Sequence, residues 1–108
     1  MAREEDQARR LDLRRRHALL AERLVAMPKP KAAALVRRAR ESVDRWEREQ
    51  LCSRHYIIRW RRMLAGPVKR VANWLLESNA WTGALFQNSP WSFALLELTG
   101  DPPRHRKR

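Results

Sequence analysis

Glycine is scarce in this chain, with 3 in 108 residues. Two of them, Gly66 and Gly100, fall where helices would stop. A sheet with many tight turns is therefore excluded, and helices are favoured. Cysteine occurs once, as Cys52, which excludes an internal disulfide and fits a reducing compartment. No apolar run approaches the roughly 20 residues that span a bilayer. The first residues, Met1 to Asp12, carry both signs of charge and lack the apolar centre of a signal peptide. A cytoplasmic protein without membrane association is expected. Lysine is nearly absent too. Lys29, Lys31, Lys69 and Lys107 are four of 24 basic residues, so the other 20 are arginine. With 12 acidic residues the formal charge is +12. Such an excess favours phosphate backbones or acidic protein partners. A GC-rich coding sequence would also raise arginine with no ligand involved.

Reactive chemistry is equally sparse. The chain has no phosphate-cradling glycine loop, no G-x-S-x-G and no metal-protease helix motif. Cys52 and His55 have the C-x-x-H spacing of half a zinc site. His17 and His105 stand alone, so the four ligands of a structural zinc are not assembled. Cys52 as a nucleophile would need a base and a lowered pKa. His17 sits on an apolar stripe and reads as a satisfied core histidine or a coiled-coil polar position. No cofactor, no metal and no enzymatic activity are expected.

What is abundant is helical periodicity. Leu13, His17, Leu20, Leu24 and Met27 recur at spacings of four and three, which keeps them on one stripe of a helix over 3–27. Leu11, Ala18 and Val25 widen that stripe, and Arg14, Arg15, Arg16 and Arg23 take the other faces with Asp12 and Glu22. "PKPK" ends the helix, because proline cannot continue its hydrogen-bond ladder. A second helix over 30–50 buries Ala32, Leu35, Val36, Ala39, Val43 and Trp46, with Glu41–Arg45 and Asp44–Arg48 paired outside. Ser53 caps a third helix that ends at Gly66, and Pro67 opens a fourth, to about Ser78. Ser89 and Pro90 start a last helix that Gly100 closes. The expected fold is all-α: a long N-terminal helical hairpin plus three shorter C-terminal helices, in one domain over 1–100, followed by a basic disordered tail, 101–108.

The binding residues follow from where charge is uncompensated. Between Glu49 and Glu77 there is no carboxylate, and Arg54, Arg59, Arg61, Arg62, Lys69 and Arg70 fall in that gap. On a helical wheel Tyr56, Ile57, Trp60, Met63 and Leu64 turn inward. Arg54, Arg61 and Arg62 turn outward around Ile58. Trp74 falls at the edge of the fourth helix, beside Arg70, where a guanidinium can stack on an indole. Arg54, Arg61, Arg62, Lys69, Arg70 and Trp74 are thus the nucleic-acid-binding candidates, as a phosphate-backbone surface without sequence preference. A standard helix-turn-helix is disfavoured, because Arg61 and Arg62 occupy the apolar positions before the turn glycine and proline follows it. The segment "NSPWSFALLEL" is apolar nearly all round, which suits either a core or a covered interface. Ile58, Trp81, Trp91 and Phe93 are the partner-binding candidates.

Two resemblances add to this. Leu51-Cys52-Ser53, Tyr56-Ile57, Trp60 and Gln87-Asn88-Ser89-Pro90 resemble a group of short, arginine-rich bacterial proteins, often borne by mobile elements. That resemblance implies no particular activity. Ala72, Trp74, Leu75, Asn79, Leu85, Ser89, Pro90, Leu96, Thr99 and Gly100 are similar, over about 30 residues, to the toxin-binding region of Xre-type antitoxins. This implies partner binding, in a family that places a DNA-binding region upstream. Taken together, the expected function is a non-enzymatic accessory or regulatory protein that binds DNA or RNA. The alternative is a protein-interaction module, antitoxin-like, inhibitory or homodimeric, that meets an acidic partner or a second copy.

Overall fold

The computed structural model describes residues 2–77 and 85–99, and side chains within 7–77 and 85–95. Five α-helices are present and no strand occurs among the described residues. They are α1 (Ala2–Ala26), α2 (Lys29–Glu49), α3 (Arg54–Leu64), α4 (Val68–Leu76) and α5 (Ser92–Thr99). The all-α hairpin-plus-three arrangement is the one the periodicity predicts. Trp81, Asn79, Gly100 and the segment 101–108 lie outside the described residues.

The turns explain the helix ends. Pro28 is extended (φ −58°, ψ 143°), and its carbonyl accepts from the amides of Lys31 and Ala32 to start α2. Pro30 sits in the first turn, where its missing N–H costs nothing. Gln50 closes α2 in the left-handed conformation (φ 54°). The Gln50 amide donates to the Glu47 carbonyl and the Leu51 amide to that of Trp46, which satisfies two orphan carbonyls. Ser53 stands at the N-cap of α3, but its hydroxyl makes no capping bond; only its carbonyl is used. Gly66 has φ +92°, and a Cβ there would come within 3.3 Å of Arg70 Cδ. The left-handed φ is what calls for glycine at this turn, since the Arg70 side chain can yield to a Cβ.

The hairpin arms touch each other only sparsely. The short helices divide between them: α4 and α5 pack on α1, and α3 packs on α2. Leu20, Leu24, Val43, Trp60, Leu75 and Trp91 meet in one core. The wheel places Trp60 correctly inside. It is fully buried, and its indole N–H donates to the Asn88 carbonyl at 3.0 Å. Periodicity misplaces several residues of α1. Arg16, expected on an outer face, is buried and bonds Asp12 at 2.8 Å. Leu11 and Val25, expected to widen the apolar stripe, are 59% and 61% exposed. The α4–α5 covering is narrower than the stripe.

His17 is the polar centre of this core. Its Nδ1 lies 2.7 Å from the Leu13 carbonyl, which can only accept, so the proton sits on Nδ1. Nε2 therefore accepts from the Ser89 hydroxyl at 2.8 Å, and Ser89 Oγ in turn accepts the Trp91 amide at 3.0 Å. The ring stacks on Phe86 at 4.0 Å. Burial lowers the His17 pKa to about 4, against the weaker raising effect of the Leu13 carbonyl. It is a satisfied core histidine, tying α1 to the turn before α5. Ser89 does its capping one turn early, and α5 proper starts at Ser92.

Candidate nucleic-acid interface

The α3 arginines do not stand in a carboxylate-free environment once the chain folds. Packing α3 on α2 brings Arg61 against Asp44 (2.7 Å) and Glu47, and Arg54 to 3.8 Å from Glu47. These hydrogen bonds, Asp44 first, hold the Arg61 pKa above its usual value. Asp44 thus reaches across to α3, where the sequence pattern suggests a pair with Arg48. Arg61 is drawn into an α2–α3 seam, where two carboxylates offset its charge, and Arg54, 77% exposed, borders that seam through Glu47.

The turn between α3 and α4 differs. Arg40 of α2 reaches into it. Its Nε and Nη2 donate to the Leu64 carbonyl at 2.9 and 2.6 Å, and Nη2 also lies 3.4 Å from the Gly66 carbonyl. One guanidinium thereby caps the C-terminal end of α3. Arg70 lies beside Gly66 from the other side. Arg40 and Arg61 share a cleft of about 430 Å³ with Asp44, Leu64, Ala65 and Gly66. Lys69 and Lys29 line a second, apolar cleft with Val25, Met27 and Val68. The first half of α2 therefore adjoins the α3–α4 turn along its length. Both stretches lack acids: none occurs between Glu22 and Glu41, and none between Glu49 and Glu77. Arg37, three positions before Arg40, is on the same side of α2. Lys29 and Lys69 line one cleft, and Arg40 and Arg70 flank Gly66, a basic ridge that exposed Arg37 extends along α2 and Asp44 borders in the Arg40 cleft. Arg62 is exposed at the end of α3.

Of the six sequence-derived nucleic-acid residues, Arg62, Lys69 and Arg70 are exposed, the last two at this turn. Arg61 is in the seam and Arg54 borders it. Trp74 is half-buried and packs against the core. The Trp74–Arg70 stack does not form. An arginine does lie over a ring elsewhere, Arg38 over Phe93 at 4.2 Å. Of the partner-binding residues, Ile58 is 50% exposed, Trp91 is fully buried in this chain's own core and Phe93 is half-buried under Arg38. Sequence reasoning missed Arg40, Arg37 and Lys29. Their signal was the acid-free run 23–40, which is as long as a helix face needs.

The reactive groups are placed quietly. Cys52 is half-buried, and burial pushes its thiol pKa up, away from a nucleophile. No cluster of three metal-ligating side chains occurs among the described residues. No described helix is long and apolar enough to cross a membrane. No protein-family model matches this chain, and no curated protein or solved structure does either.

Proposed function

We propose that this chain is a non-enzymatic accessory or regulatory protein that binds DNA or RNA along the phosphate backbone, through the ridge of Lys29, Arg37, Arg40, Lys69 and Arg70. The observation that carries the reading is the meeting of two acid-free stretches at one turn. There Arg40 is fixed by the Leu64 carbonyl and Arg70 stands beside Gly66. Backbone contacts of this kind position a duplex and carry no base sequence. The drive is release of counterions, so affinity falls steeply with salt.

The test is binding of a fluorescently labelled random duplex, at about 50 and about 200 mM salt. A protein contacting several phosphates loses affinity by orders of magnitude across that range. Equal affinity at both, or no binding at the lower, contradicts the proposal. A protein-interaction role draws on Ile58 and Leu51, which stand out at 50% and 58% exposure. Sedimentation of the isolated chain tests its homodimer form; a monomer across the micromolar range removes it.

A further inference from the structure

A third cleft lies on the opposite flank of α2 from the ridge. It holds about 240 Å³ and is lined by Ser42, Arg45, Trp46, Ser89, Pro90, Ser92 and Phe93. Its composition differs from the other two. It has two aromatic rings, three hydroxyls and one guanidinium, and no carboxylate in its wall. Phe93 is committed, with Arg38 on its ring at 4.2 Å and Trp91 stacked near it at 6.1 Å. Trp46, half-buried, is the ring left to face an occupant. The hydroxyls are held in place. Ser42 donates to the Arg38 carbonyl at 3.4 Å and Ser92 to the Ser89 carbonyl at 2.9 Å. Ser89 at the floor donates to buried His17. Each donor is used inside the protein; Ser89 Oγ also accepts the Trp91 amide, and the Ser42 and Ser92 oxygens remain as acceptors.

We infer that this cleft takes one unstacked base of a single-stranded nucleic acid. A ring to stack on, acceptor oxygens for exocyclic amino groups and a guanidinium for a base carbonyl or adjoining phosphate are what such a base requires. A duplex keeps its bases paired and offers none to the cleft. The inference rests on the backbone-binding reading above, because the strand must cross α2 between ridge and cleft. Arg37 and Arg48 stand on that outer face, with Glu41 among them. The ridge then holds phosphates of either form, and the cleft distinguishes single strand from duplex.

The experiment compares a mixed-sequence single strand, as DNA and as RNA, with a duplex of the same length. The full chain is used, as wild type and as Ser42→Leu, which fills the cleft from a half-buried position. Single-strand affinity is expected to fall about tenfold in Ser42→Leu, with duplex affinity unchanged. A 5-bromouracil-substituted strand, irradiated with the wild-type chain, should cross-link within the peptide that holds Trp46. Arg45→Ala, at an exposed position, gives the same comparison should Ser42→Leu unfold. Equal loss or no loss for the two forms in the folded variants, with cross-links elsewhere, overturns the cleft inference and leaves the ridge standing. Failure of the wild type to bind either form at low salt overturns both.

Discussion

Two pairs of basic residues, both exposed and both drawn from one acid-free stretch of sequence, have opposite fates in the fold. Arg54 and Arg61 face α2 where it carries Asp44 and Glu47, and their charge closes a seam. Lys69 shares a cleft with Lys29, and Arg70 flanks Gly66, whose carbonyl Arg40 reaches, so here charge accumulates. The same α2 helix neutralises one cluster and reinforces the other, about three turns apart. On the proposed function, a basic segment serves as a ligand surface only where the helix packed beside it is also basic. Arg40 sits at the divide: its positive charge is shared, but its donors are spent on α3 carbonyls.

The contrast exists only while the chain is folded, and acid sets the widest limit. The unfolded His17 titrates near 6.5 and the folded one near 4. Below 6.5 the unfolded state takes up a proton that the folded state refuses. Stability is therefore fully present above 6.5 and falls as pH drops toward 4, by about 3 kcal/mol in all. Urea denaturation at pH 7.5, 5.5 and 4.5 checks this; His17→Asn should flatten the slope. Next in size, Lys69→Glu with Arg70→Glu should weaken duplex binding by about tenfold or more, because two attractions become repulsions. Thermal melting should show stability unchanged within about 0.5 kcal/mol, as for most exposed positions. Arg40→Ala should do the reverse of a pure charge change and cost about 1–2 kcal/mol of stability, by uncapping α3. Arg61→Ala should be the mildest, at about 0.2–1 kcal/mol for an exposed pair. Asp44→Asn with Glu47→Gln should free Arg61 and raise affinity slightly, which would move that arginine from one group to the other.

The periodic parts of the molecule were legible in the sequence. The 3.6-residue spacing placed all five helices within a few residues, set Trp60 inside and put His17 among core residues. Local turn chemistry at Pro28, Gly66 and Ser89 was legible as well. The neighbours across helices were not. Nothing in "HYIIRWRRML" reports that α2 turns Asp44 and Glu47 toward it, so Arg61 reads as free until α3 is docked. The same holds for Arg16, which a wheel sets outside. Trp91 lies in an apolar segment whose composition fits core and interface equally, and packing against α1 places it in the core. The cleft around Trp46 combines residues more than 40 positions apart, which no local pattern contains.

The division between spent and open cations is read out by the salt dependence of duplex binding in two variants. Each phosphate contact removed lowers the slope of log affinity against log salt by about 1. Lys69→Ala with Arg70→Ala should lower that slope by about 2, while Arg61→Ala should leave it at the wild-type value. A slope lowered by Arg61→Ala and untouched by the Lys69–Arg70 pair would contradict that division.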